Sequence, residues 1–204
     1  MNRRPVGGIW LHNGATVIAS VEQPPRAGRL KVLAPLLAGA AVSIILGVYG
    51  SVHDPAGKGA IDLAFIRTVV LKVYLASAAA LIGLFQLASA LRLYGKISIP
   101  REMPSWLPML HRVTGTIAFL LVVVVAYHCL WAPGFQRSEP RLLFHSILGC
   151  FFFGAFTAKV IVVQARGLPG WWLPVAGGSL FTALVLLWLS SAGWFFVTFG
   201  FQYL

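Results

Sequence analysis

Charged residues are scarce in this sequence, and acidic ones above all. Asp, Glu, Lys and Arg make up 10% of the 204 residues, whereas about 25% is usual in a soluble domain. Hydrophobic residues account for 58% of the chain. Too few polar side chains remain to cover a surface that faces water, so the composition excludes a soluble globular protein and predicts an integral membrane protein.

Cysteine is also scarce. Cys129 and Cys150 are the two cysteines, and they form no CxxC pair, no c-type haem CxxCH motif and no zinc-ligand spacing. Their predicted depths in neighbouring helices differ by roughly 10 Å, whereas a disulfide needs Cα atoms within about 7 Å. We therefore expect two free thiols. The segment before Pro24 and Pro25 lacks the apolar stretch of a cleaved signal peptide, so none is predicted.

Long apolar runs are abundant, and five of them reach the roughly 17–25 residues that a helix needs to cross a bilayer. Gly and Pro clusters separate these runs. The sequence therefore predicts an all-α bundle of five transmembrane helices, which span about residues 32–50, 68–91, 106–131, 141–164 and 171–200. Residues 1–31 are polar, basic and rich in Gly and Pro, and we expect them to form a flexible tail.

The basic residues outside the apolar runs are distributed unevenly. Ten lie in the N-terminal tail, the 92–112 connection and the 165–171 turn, and four lie on the opposite side. The positive-inside rule then places the N-terminus in the cytoplasm and the C-terminus outside. This distribution accounts for the net charge of +11 without a nucleic-acid partner, so membrane lipid is the predicted surrounding.

Ionisable side chains inside the spans are candidates for function, because placing them in lipid is costly. His111 and His145 each begin an H-x-x-x-G run near the start of a helix. The two runs end at Gly115 and Gly149. Residues i and i+4 share a helix face, so each glycine leaves room beside the imidazole for a flat group. A glycine that only packs two helices together is the alternative interpretation.

A second histidine lies at the predicted outer end of helix 3. His128 and His145 should lie at similar depth, within about one helical turn of 5.4 Å. Two imidazoles at one depth in an apolar bundle suit the axial positions of a b-type haem, so both are predicted iron ligands. His53, in the loop after helix 1, is an alternative to either. Lys72 and Arg67, at the start of helix 2, are the expected partners of the haem propionates.

The other end of the bundle offers fewer ligands. His111 lies 17 residues before His128, which rotates the two imidazoles apart by roughly 100° around helix 3. That helix therefore does not place two ligands on one face, and we predict one haem at most. His111 stays a candidate cofactor-binding residue, and the sequence assigns no definite role to Lys159.

Two stretches of the sequence resemble a known family. AYHCLWAPGFQ at 126–136 and RLLFHSILGCFFFGAFTAKVIVV at 141–163 are similar to actinobacterial multi-pass membrane proteins of unassigned function. The likeness extends over about residues 65–200 and implies a location in the bacterial plasma membrane. More distantly, the H-x-x-x-G helices look like b-type cytochromes of the ferric-reductase and ascorbate-reducible kinds. This chain lacks the four histidines of a two-haem chain and any flavin or nicotinamide domain.

The leading hypothesis is a haem-binding electron-transfer subunit that acts near the outer membrane face, with a quinone or a redox protein as its partner. The alternative hypothesis is a membrane protein without a cofactor, either a small transporter or an assembly subunit. In that case Lys72, Gln86 and Lys159 would line a polar path. No side chain is predicted to be catalytic, and the sequence leaves open whether the protein is an enzyme.

Overall fold

Helices account for nearly all of the structure. A computed structural model describes residues 26–57, 67–98, 102–165 and 167–203. These residues contain five helices that are long and apolar enough to cross a membrane. They are α1 (Arg26–Val52), α2 (Thr68–Leu93), α3 (Leu107–Trp131), α4 (Pro140–Gln164) and a last helix that comprises α5 (Trp172–Trp188), a π turn (Leu189–Gly193) and α6 (Trp194–Phe199). The all-helical prediction is confirmed, and the five helices fit a multi-pass membrane protein.

Proline and glycine fix several of the helix ends, as the sequence pattern predicts. α3 and α4 both have proline in the first turn, where a missing N–H costs no hydrogen bond. Gly95 and Gly134 adopt positive φ angles in the connections after α2 and α3. α1 begins at Arg26, so residues 26–31 of the predicted tail are helical, whereas residues 1–25 lie outside the described part of the chain.

The helices pack in the order α1, α4, α5, α2, α3, each against the next. The tightest crossing joins α1 to α4. A Cβ atom placed on Gly39 would lie 2.6 Å from the carbonyl oxygen of Gly154, and one placed on Gly154 would collide with Gly39 and Ser43. Only glycine allows the two backbones to approach this closely, which is a common way for membrane helices to associate.

α3 packs closely on α2 and reaches α4 near the middle of the bundle. There the ring of Phe119 stacks on Phe156 with a centroid distance of 3.7 Å. These rings border the main core cluster, which is formed by Ala79, Phe152, Leu180, Ala183 and Leu184. Few residues of α3 and α4 approach each other.

The connections of the bundle define its two ends. The α3–α4 end carries the α1–α2 and α3–α4 connections, and the α2–α3 end carries the other two. At the α3–α4 end, the N–H of Phe135 donates to the carbonyl of Gly50 at 2.7 Å. The N–H groups of Ala56 and Gly57 donate to the carbonyls of Trp131 and Ala132 at 3.1 and 3.2 Å. These bonds join the two connections to each other.

Candidate ligand-binding cavity

A cavity of about 100 Å³ lies inside the bundle toward the α3–α4 end. Side chains from all five spanning helices line it, and most of them are apolar. The polar or sulfur-containing residues among them are Cys129, His145, Ser146, Cys150 and Ser191. Few residues of α3 and α4 approach each other, and side chains of both helices line the cavity between them.

The π turn forms one side of this region. The N–H of Trp194 donates to the carbonyl of Leu189, five residues earlier, and not to that of Ser190. The Ser190 carbonyl instead accepts a hydrogen bond from the guanidinium of Arg141 on α4 at 2.8 Å. Arg141 also lies 3.9 Å above the ring of Trp194. One arginine thus binds the π turn to α4, and π turns are frequent at functional sites.

Ser190 on the last helix holds the imidazole of His145. The Ser190 hydroxyl lies 2.8 Å from the carbonyl of Leu186 and 2.9 Å from Nδ1 of His145. When the hydroxyl proton goes to Leu186, the hydroxyl oxygen accepts from Nδ1–H of His145, and Nε2 of the neutral imidazole carries a lone pair. Among the described residues Nε2 of His145 has no hydrogen-bond partner. His145 therefore presents a ring nitrogen, positioned by Ser190, to the cavity.

Gly149 lies one turn after His145 and also lines the cavity. A Cβ atom placed on Gly149 would have no described atom within 4 Å. The predicted free space beside the imidazole is therefore present at this position.

Positive charge lies near the cavity. Lys72 on α2 is half-buried and close enough to interact electrostatically with both Cys129 and His145. Arg141 interacts with His145 in the same way. Arg67 is exposed at the N-terminal end of α2. Lys72 and His145 thus share one region, and their roles toward a haem stay predictions.

The structure places His128 differently from its neighbour Cys129. His128 is fully buried, and its Nδ1–H donates to the carbonyl of Val124 at 2.8 Å. It is not among the described residues that line the cavity, whereas Cys129 is. Both cysteines are free thiols, as predicted.

His53 lies at the same end, between the rings of Tyr49 and Trp131, with centroid distances of 5.1 and 4.9 Å. Its Nε2 is buried and has no hydrogen-bond partner within the described ranges. The ring therefore belongs to an aromatic stack between α1 and α3, outside the cavity lining.

The α2–α3 end contains a polar network around His111. The Ser89 hydroxyl lies 2.7 Å from both the carbonyl of Phe85 and Nδ1 of His111 and is hydrogen-bonded to them. The amide nitrogen of Gln86 donates to the carbonyl of His111 and to Thr114 Oγ1, both at 2.7 Å. Gln86, a member of the polar path in the alternative hypothesis, is thus engaged between α2 and α3. Lys159 on α4 interacts electrostatically with His111.

A b-type haem with two axial histidines needs one imidazole on each face of the porphyrin. Among the described side chains, the cavity presents only that of His145. Its volume of about 100 Å³ is about two thirds of the roughly 150 Å³ of an engineered apolar cavity that takes up benzene. The cavity is thus of the order of a single small ring, and a haem held by both His128 and His145 would require a wider separation of α3 and α4.

The described residues offer no cluster of ligands for a metal ion. Within the ranges that the structure describes, no group of three or more His, Cys, Asp and Glu side chains is placed to hold a metal ion. Sequence reasoning missed Ser190, Ser191 and Arg141 as parts of the site. The Ser190-Ser191 pair inside an apolar run was the available signal.

Residues 32–203 match a family of unknown function, DUF6529. The chain belongs to this family. The match includes α1, so the resemblance that the sequence analysis placed at about residues 65–200 was too short. No curated protein and no solved structure matches the chain.

Proposed function

We propose that this protein is a membrane redox subunit whose cavity at the α3–α4 end binds the ring of a lipophilic quinol. The observation that carries this proposal is the imidazole of His145, which Ser190 holds at Nδ1 in an apolar cavity. We assign to it the tautomer that donates from Nδ1 and leaves Nε2 as an acceptor. A quinol ring is flat and apolar and carries hydroxyl groups, so it can donate a hydrogen bond to Nε2 while its faces contact the apolar lining.

The chemistry follows from the tautomer of His145. When a one-electron metal centre of a partner protein oxidises the bound quinol, two electrons leave one at a time and each C–O–H becomes C=O. The proton of the hydroxyl that faces His145 passes to Nε2, and the other proton leaves toward the membrane surface. Ser190 continues to accept from Nδ1–H throughout, which keeps the ring in place.

A binding measurement tests this proposal. The probe is a benzoquinol with a decyl chain, followed by quenching of tryptophan fluorescence, since Trp188 lines the cavity. Loss of a buried hydrogen bond typically costs about 1–3 kcal/mol, so we expect His145→Ala to weaken binding about tenfold or more.

His111→Ala is the matched control, because His111 has the same pairing with a serine at the opposite end. It should leave the affinity unchanged. Equal affinities of wild type and His145→Ala would overturn the proposal, as would equal losses in both variants.

A b-type haem is the second candidate, and the hydrogen bonds at Nδ1 of two histidines favour it. Histidines that ligate a metal through Nε2 usually donate their other N–H to a fixed acceptor. His128 donates to the carbonyl of Val124, and Nδ1 of His145 is paired with Ser190. With α3 and α4 further apart than they are here, His145 and His128 would hold the iron, and Lys72 and Arg67 would lie near the propionates. The haem would supply one-electron transfer.

The absorption spectrum of the purified protein tests the haem directly. A Soret band with split α and β bands after reduction supports it, and both His128→Ala and His145→Ala should abolish these bands. His111→Ala should keep them. A colourless protein from haem-replete cells would reject this candidate and leave the quinol proposal standing.

We also propose that the α3–α4 end faces the outside, which follows from the basic residues of the sequence. Lys58→Cys should react with a membrane-impermeant maleimide in intact cells, and Lys96→Cys should react only after lysis. The reverse pattern would overturn this orientation.

A further inference from the structure

We infer that a groove on the outside of α1 is the membrane entrance to the His145 cavity, and that it holds the hydrocarbon tail of the ligand. This inference rests on the proposed function. It narrows the ligand to a ring that carries a long apolar tail.

The groove lies between α1 and the connection that follows α3. Ile44, Val48 and Val52 form its apolar floor along α1, and Phe135 and Arg137 form its other side. Its volume is about 370 Å³, more than three times that of the cavity. Ile44, Val48 and Val52 are each one helical turn apart, so they form a strip that runs along the helix.

The wall between groove and cavity is thin. Phe135 lines both spaces. Gly47 lines the groove, and its neighbour Leu46 lines the cavity. From a Cβ atom placed on Gly47, the only described atom within 4 Å is Sγ of Cys150 at 3.8 Å. Cys150 itself faces the cavity, so the two spaces share Phe135 and adjoin at Gly47 and Cys150.

Phe135 lies between the groove and the cavity, where a gate between them would be needed. Its N–H is bonded to Gly50 on α1, and its ring lies 5.4 Å from the guanidinium of Arg137. Arg137 in turn donates to Ser51 Oγ at 2.8 Å. The Phe135 backbone is thus fixed to α1, and its ring, which lines both spaces, is the gate of the proposed entrance.

The shape of the groove determines the ligand class. Arg137 marks the end nearest the membrane surface, and the apolar strip extends from there toward the middle of the bilayer. A hydrocarbon tail can lie along Ile44 and Val48 while its ring occupies the cavity. A ring without a tail would gain nothing from this strip, and a charged headgroup would have no cation at its deep end among the described side chains.

Photolabelling tests the position of both parts of the ligand. One benzoquinol probe carries an azide on the ring, and a second carries a diazirine in its decyl chain. After irradiation, mass spectrometry of peptides should find the ring label on α3 or α4 beside the cavity and the tail label on α1 between residues 44 and 52.

The possible results separate the two proposals. Ring label at the cavity with tail label on another helix would overturn the entrance and leave the proposed function intact. Absence of ring label from the cavity would overturn the proposed function, and the entrance with it.

A substitution tests the same point by affinity. Gly47→Leu would place a side chain between groove and cavity, so we expect binding of the decyl quinol to weaken about tenfold, the loss expected for roughly 1.4 kcal/mol. The same quinol with a methyl group in place of the decyl chain should change less than about twofold, because it makes no use of the groove.

Gly177→Leu is the control, since a Cβ there meets no described atom within 4 Å and the position lines neither space. It should bind both quinols as wild type does. Equal losses of the tailed and tail-less quinols in Gly47→Leu would overturn the entrance.

Discussion

The two H-x-x-x-G runs have the same sequence pattern but opposite surroundings. At the α3–α4 end, Gly149 opens onto the cavity, with no described atom within 4 Å of a Cβ placed on it. At the α2–α3 end, a Cβ placed on Gly115 would lie 3.1 Å from Oε1 of Gln86. One glycine leaves space for a ligand, and the other leaves space for a side chain of the protein itself.

The histidines of the two runs are arranged alike. His145 is paired with Ser190, and His111 with Ser89, each through Nδ1 and a serine hydroxyl that donates to its own helix. An ordered imidazole and an open space beside it are therefore two separate properties of an H-x-x-x-G run. At each end of the bundle a serine holds the imidazole in place. Whether a cavity forms beside that imidazole depends on the side chains of the neighbouring helices.

The largest expected effect comes from filling the space beside Gly149. Gly149→Leu would occupy the cavity next to His145, so we expect binding of the decyl quinol to fall below detection. Stability should be unchanged or higher by up to about 1 kcal/mol, because glycine inside a helix is unfavourable. Fluorescence titration and thermal unfolding in detergent measure the two quantities. Retained binding would show that the ligand does not lie beside Gly149.

A larger side chain at Gly115 should lower stability and leave quinol affinity unchanged. Gly115→Leu would displace the Gln86 amide, which bonds to His111 and Thr114. We expect a loss of about 1–3 kcal/mol in stability, as is usual for overpacking, with quinol affinity unchanged. Thermal unfolding, with Gly177→Leu as the control, measures this loss. If Gly115→Leu lowered affinity and left the unfolding temperature unchanged, the contrast between the two ends would be wrong.

The smallest effects should come from the serines. Ser190→Ala and Ser89→Ala each remove one hydrogen bond to a histidine, which in membrane proteins is worth about 0.6 kcal/mol on average. Both should lower stability by about this amount. Only Ser190→Ala should also weaken quinol binding, by a few fold, because the Nδ1 proton of His145 would lose its fixed acceptor. Equal affinities of the two variants would show that Ser190 does not position His145.

Much of the fold could be predicted because run length alone determines a membrane helix. The apolar segments before and after Pro133 and Pro140 had to form separate helices, and they do. The relation of His145 to Gly149 was also predictable, since both lie on one helix at i and i+4. These inferences use only neighbours in the sequence.

The rest depends on contacts between distant residues. Nothing near Gly115 shows that Gln86, 29 residues earlier, fills the space beside it. The pairing of His145 with Ser190 spans 45 residues. His128 and Cys129 are adjacent, and the apolar run around them has no polar face from which the direction of each side chain could be inferred. The sequence therefore could not predict that Cys129, and not His128, lines the cavity.

The π turn at Leu189–Gly193 behaves as a one-residue insertion in the last helix. Each residue added to a 3.6-residue turn rotates the following helix by about 100°. Trp188 before the turn lines the cavity, and Trp194 after it lies under Arg141. The extra residue between them sets the rotation of one helix segment against the other. Deletion of Leu189 would bring both segments into one phase and move Ser190 away from His145. The number of residues in this helix therefore matters to the site as much as their identity.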